Sequence, residues 1–148
     1  MAGQAETRGD RTLLGFDFGL RRIGVAVGQE CTRTATALTT LQCPNQQPAW
    51  HRIEELIQEW QPDALVIGVP LHMDGQEQAL TTYARQFGMQ LAQRFGLPVH
   101  EVDERLSSYE AEEIMKQREP LGRKNKSRID QLAASIILQD WFNQQAHE

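Results

Sequence analysis

Three acidic positions stand out by their surroundings. Asp17 lies between Phe16 and Phe18 in Gly15-Phe16-Asp17-Phe18-Gly19, at the end of an apolar run. Asp103-Glu104 directly follows Val99-His100-Glu101-Val102. Asp130 has Ala133, Ala134 and Ile137 three, four and seven residues further on, so it shares the apolar stripe of a helix. A carboxylate beside a core is costly unless it is paired, hydrogen-bonded or holding a metal. Acids converging from distant segments repel one another, which favours a bound cation. Mg²⁺ or Mn²⁺ suits such a set, because Mg²⁺ takes one or two carboxylates, keeps waters and completes its shell with substrate phosphate oxygens. Two such ions, about 3.5–4 Å apart, activate water and stabilise the leaving oxygen in phosphodiester hydrolysis.

Each acid also has a simpler reading. Asp17 fits an Asx-turn into Gly19. Asp103 or Glu104 fits the start of a following helix, where the dipole favours negative charge. Ser127-x-x-Asp130 fits a capping box. The bases argue for the chemical reading. Arg118, Arg123, Lys124, Lys126 and Arg128 are set against the single acid Glu119, immediately before Asp130. Arg21 and Arg22 follow Asp17, and Arg105 follows Glu104. Such a local concentration of positive charge is suited to holding the phosphates of a nucleic acid. Other chemistries lack their residues. His51, His72, His100 and His147 share no zinc spacing, and there is no recognisable Ser-His-acid or Cys-His arrangement. Trp50, Trp60 and Trp141 sit at helical core spacing and read as packing.

The elements that must position these residues are legible in the changes of period. Thr12–Phe18, Ile23–Gly28 and Thr34–Leu41 read as three strands with short joins, an antiparallel meander. Trp50, Ile53, Leu56, Ile57 and Trp60 fall at helical spacing, and Gln61-Pro62-Asp63 ends that helix. Ala64–Val69 is a continuous apolar run, as in a strand covered on both faces. Pro70–Gly75 reads as a loop shaping a cleft, Glu77–Phe95 as a helix and Val99–Val102 as a fifth strand. A helix is expected over Ser107–Arg118, a loop over Glu119–Lys126 and a last helix over Ser127–Asn143. The expected fold is α/β, a five-stranded mixed sheet with a three-strand meander and two parallel strands, flanked by helices. Open α/β sheets bind ligands at the carboxyl ends of their parallel strands, where Asp17 and Asp103-Glu104 fall.

Bulk properties set the frame. A chain of 148 residues, 40% hydrophobic and 24% charged, suits one globular domain over residues 11–148 after a loose tail over residues 1–10. Net charge is −5, so a polyanion must be held by a local patch and not by a global field. Cys31 and Cys43 form no metal-ligand pair, which suggests a reducing compartment, and no run approaches the ~18 apolar residues of a transmembrane helix. The expected location is cytoplasmic, without a membrane partner.

In order along the chain, the motifs resemble those of the YqgF (RuvX-type) family of the ribonuclease H-like superfamily. They are Gly15-Phe16-Asp17-Phe18-Gly19 with Ile23-Gly24-Val25-Ala26, Gly68-Val69-Pro70 with Asp74-Gly75, Asp103 to Ser108, and Lys126 through Asp130 to Ala134. The resemblance runs from about Thr12 to Phe142. It implies a ribonuclease H-like fold and a divalent-metal phosphodiesterase trimming the 5′ end of precursor 16S rRNA. Many ribonuclease H-like nucleases carry an acid on the fourth strand; here Ala64–Val69 has none, and the resemblance puts that role at Asp103 or Glu104. The expected site is therefore Asp17, Asp103, Glu104 and Asp130 for Mg²⁺ or Mn²⁺, with Arg21, Arg22, Arg105, Arg123, Lys124, Lys126 and Arg128 for nucleic acid. The expected partner is structured RNA, with ribosome association, as a monomer or homodimer. The alternatives are a Holliday junction resolvase acting on branched DNA, and a non-catalytic RNA-binding module in transcription or ribosome assembly. An actin-like phosphotransferase would close two such domains around ATP, and the length supplies one.

Overall fold

A computed structural model describes residues 11–69, 79–103 and 123–146, with side chains excepted at 123–127 and 146. Three strands, β1 (Thr12–Asp17), β2 (Arg22–Gln29) and β3 (Thr34–Gln42), form the meander. After a short turn of helix at Pro44–Gln46 come α1 (Trp50–Trp60), β4 (Ala64–Val69), α2 (Ala79–Phe95), β5 (Val99–Asp103) and α3 (Arg123–Ala146). The sheet order is β3-β2-β1-β4-β5. β1 pairs antiparallel with β2 and parallel with β4, and β4 pairs parallel with β5. This is the expected mixed sheet. The helix expected over Ser107–Arg118 and the loop at Pro70–Gly75 lie outside the described residues.

Strand alternation sends the two faces into different cores. Leu14, Phe16, Val25, Leu65 and Ile67 join Ile53 and Leu56 of α1 and Ala84, Phe87 and Leu91 of α2. Leu13, Ala26, Ala64, Val66 and Val102 pack instead on Ala134, Ile137, Leu138, Trp141 and Phe142 of α3. β1 and β4 are buried at nearly every position, which explains the apolar runs Leu13–Phe16 and Ala64–Val69. All three tryptophans belong to this packing: Trp50 and Trp60 flank the first core, and Trp141 lies in the second. Among the described residues no helix is long and apolar enough to cross a membrane.

One boundary departs from the expectation. The last helix begins at Arg123, not Ser127, and runs on to Ala146. The stretch expected to be loop up to Lys126 is thus helical from residue 123. Arginine and lysine are good helix formers, and no glycine or proline follows Gly122 in the chain. A basic run does not by itself specify a loop. Asp130 consequently lies well inside α3, and the capping-box reading of Ser127 and Asp130 is excluded.

Candidate active site at the carboxyl edge of the sheet

β1 ends at Asp17, which is 9% exposed although its side chain is a carboxyl group. It alternates with Phe16, so it faces α3. Its ladder partners are Gly24 on β2 and Gly68 on β4. Both neighbours on its own face lack side chains, so other groups can approach the carboxylate. The hairpin that follows is tight: a Cβ at Gly19 would come within 2.6 Å of the Arg22 carbonyl oxygen.

Gly24 also decides where the second acid sits. A Cβ there would run into the backbone carbonyl of Asp130. Because Gly24 pairs with Asp17, the close crossing of α3 over β2 brings Asp130 next to the end of β1. Two acids separated by more than a hundred residues are thereby gathered at one sheet edge. Arg22, the first residue of β2, donates from Nε to Asp130 Oδ2 at 2.6 Å. Burial pushes the Asp130 carboxyl above the ordinary range, and the hydrogen bond and charge of Arg22 only partly offset this. Taking the carboxylate out of water therefore costs more than one arginine returns.

The remaining expected residues divide. Asp103 ends β5 and is exposed. It pairs with Val69, whose side chain belongs to the core on the α1 and α2 side. Its register position is thus on the face opposite Asp17, while His100 and Val102 share the α3 side. Glu104 and Arg105 lie outside the described residues. Arg21 is exposed in the β1–β2 turn, and Arg128 is exposed on α3. Arg123, Lys124 and Lys126 are in the opening turns of α3, which carry no acid. Among the described residues no group of three potential metal-ligating side chains comes together. Asp17 and Asp130 converge; Asp103 does not join them by register.

One contributor and one role were not singled out from sequence. Gly24 sets the approach of α3, and Arg22 is the counter-charge of an acid, not only a rim cation. The signal for Gly24 was present in Gly24-Val25-Ala26-Val27-Gly28, where every second residue is small. That period marks the face on which a helix lies close. Nothing local announces the pairing of Arg22 with a residue 108 positions away.

Comparison with known proteins places the chain in a family and its fold among solved structures. The chain matches the family described as "RuvX: Holliday junction resolvase" over residues 11–144. A protein of Nitrosococcus oceani is 51% identical over 91% of this chain and 88% of its own length, and one of Pectobacterium atrosepticum is 48% identical over 92% and 98%. Both bear the name "Putative pre-16S rRNA nuclease". Among solved structures, Thermus thermophilus RuvC in complex with a Holliday junction substrate aligns with TM-score 0.55 and 20% identity over 93% of this chain and 96% of that one. A fowlpox virus resolvase with Holliday junction DNA aligns with TM-score 0.58 and 10% identity over 90% and 98%. At such identities these two share the fold, which is ribonuclease H-like. The chain belongs to the RuvX (YqgF) family.

Proposed function

We propose that this protein is a metal-dependent endonuclease that hydrolyses phosphodiester bonds in structured RNA, processing the 5′ end of precursor 16S rRNA. The observation that carries the reading is the convergence of buried Asp17 and half-buried Asp130 beside Gly24 and Gly68. The relatives' names supply the substrate.

The residues fit a hard divalent cation. Both converging donors are carboxylate oxygens, glycines on either side let other groups approach Asp17, and burial of Asp130 exceeds what Arg22 compensates. Asp17 and Asp130 would hold Mg²⁺ or Mn²⁺. For the third carboxylate, the position of Asp103 on the opposite face favours Glu104 of the tandem pair. The ion, when bound, supplies charge stabilisation of the phosphoryl oxygens and a more acidic water. The chain's own part is to hold and orient. The sheet edge fixes Asp17, the crossing at Gly24 fixes Asp130, and Arg22 offsets charge while no substrate is present. The opening of α3 bears Arg123, Lys124, Lys126 and Arg128 where the helix dipole already favours anions. Those residues, with Arg21 and Arg105, would carry the phosphate backbone.

The decisive experiment is cleavage of precursor 16S rRNA by purified wild type and Asp17→Asn, with Mn²⁺, Mg²⁺ or EDTA. Loss of cutting in Asp17→Asn and in EDTA is expected; equal cutting by Asp17→Asn overturns the proposal. The family's description and the junction-bound neighbours favour branched DNA as a second substrate. A four-way junction in the same assay decides it, since symmetric resolution needs a two-fold dimer.

A further inference from the structure

A cavity of about 280 Å³ opens on the α1 and α2 side of the same sheet edge, with Phe18 and Leu20 in its wall. Phe18 directly follows Asp17 but lies on the opposite face, so the cavity and the acid flank the same sheet edge from its two sides. Its lining is unlike the rest of the edge. Among the described residues it has no acidic or basic side chain; instead, the amides of residues such as Asn45, Gln47, Gln86 and Gln90 line it with Phe18, Phe87 and Tyr83. Phe18 and Phe87 are buried and pack at a tilt with ring centroids 5.1 Å apart, while Tyr83 stays 48% exposed.

We propose that this cavity is a nucleobase pocket, which takes one unstacked base of the RNA across the sheet edge from the phosphate held at Asp17. The inference rests on the nuclease reading above and adds how the substrate is read. Three observations support it. The volume falls just below that of drug-sized ligand sites, about 300–1,000 Å³, and suits a single planar heterocycle. Amide side chains offer a donor and an acceptor together, the complement of a base edge, and an aromatic wall offers a stacking surface. Among the described residues a phosphate would find no cation there, so the pocket and the basic start of α3 divide base from backbone. The loop that closes one side is held in an unusual conformation as well. Asn45 and Gln46 have φ of 57° and 60°, two successive non-glycine residues in the left-handed region. Such backbone is uncommon and clusters where ligands are gripped.

The test uses the full chain and two readouts. In the first, RNA substrates carry an abasic site at each of the nucleotides flanking the cut. Wild type is expected to lose about tenfold or more in kcat/KM at one position, within the range of base–aromatic stacking. Tyr83→Ala and Gln86→Ala, both exposed positions, are expected to lose a similar factor on intact RNA and nothing more on that abasic substrate. Wild-type rates for both variants on intact RNA, or losses that simply add, overturn the pocket. In the second, Asp17→Asn protein binds uncut RNA with 2-aminopurine at the same positions. One position is expected to change fluorescence, and Gln86→Ala to abolish the change; no such position overturns the proposal. If wild type cuts no RNA, the nuclease reading falls and the fluorescence alone judges the pocket.

Discussion

Asp130 is the residue whose environment asks most of the fold. Its folded pKa is raised, first by burial, so the native state favours the neutral acid. A raised folded value contributes stability that is complete below the unfolded pKa and is lost as pH rises through the folded one. At neutral pH the ionised side chain is therefore a cost. Asp130→Asn is expected to leave the unfolding midpoint unchanged or higher at pH 7. That gap should narrow as pH falls into the ordinary carboxylate range, read by thermal melts across pH 3.5–7. The same variant is expected to lose more cleavage than the roughly 10–100-fold typical of groups that only orient a ligand. Arg22→Gln tests the other half of the pair. It removes a charge-assisted hydrogen bond of 2.6 Å to a half-buried carboxylate. An expected loss of about 1–2 kcal/mol in urea unfolding allows for the solvent both side chains retain. Added Mn²⁺ is expected to restore more stability to Arg22→Gln than to Asp130→Asn, since only the former keeps both carboxylates.

At the level of elements, the crossing of α3 over β2 is the joint on which the site depends. Gly24→Ala would set a methyl against the Asp130 backbone carbonyl, where nothing flexible is available to give way. Overpacking of this kind costs about 1–3 kcal/mol. The variant is expected to lose cleavage beyond what its unfolding curve explains, because displacing α3 carries Asp130 away from Asp17. The other end of the same helix interface contains a pH-sensitive contact. His100 of β5 lies against the ring of Trp141, with centroids 5.1 Å apart, and burial lowers its pKa, with Arg11 adding a smaller push. A depressed histidine is neutral in the fold, so stability falls as pH drops through the ordinary histidine range and the unfolded chain takes up the proton. His100→Phe keeps a ring on Trp141 and removes the titration. Its melting temperature is expected to change less than that of wild type between pH 7 and pH 5.

For the molecule as a whole, charge is distributed against the net sign. The chain carries −5 overall, yet α3 opens with Arg123, Lys124, Lys126 and Arg128. Long-range attraction to a nucleic acid is therefore weak, and local contacts would supply the affinity. Binding of Asp17→Asn protein to precursor rRNA is expected to weaken linearly in log K against log salt. Replacing Lys124 and Lys126 by glutamine should lower the slope by about 0.7–0.9 for each phosphate no longer neutralised. An unchanged slope would remove the opening of α3 from the interface.

The types and order of the strands were written in local patterns, because burial of one or both faces imposes a period on the sequence itself. Ala64–Val69 had to be a covered strand, and Asp17 at the end of another was legible as a charge that needed a reason. Family motifs carried the chain from there to a nuclease fold. What local pattern cannot encode is which distant residue meets which. The helical state of residues 123–126 was hidden because arginine and lysine suit a helix and a loop alike. The face of Asp103 depends on the register of β5 against β4, where one position exchanges sheet sides. The union of Asp17, Asp130 and Arg22 follows from α3 lying on Gly24, a contact between segments about a hundred residues apart. Sequence determined the parts and their order; tertiary packing alone decided that two of the acids meet at one sheet edge, because proximity across a sheet is a property of register and close approach.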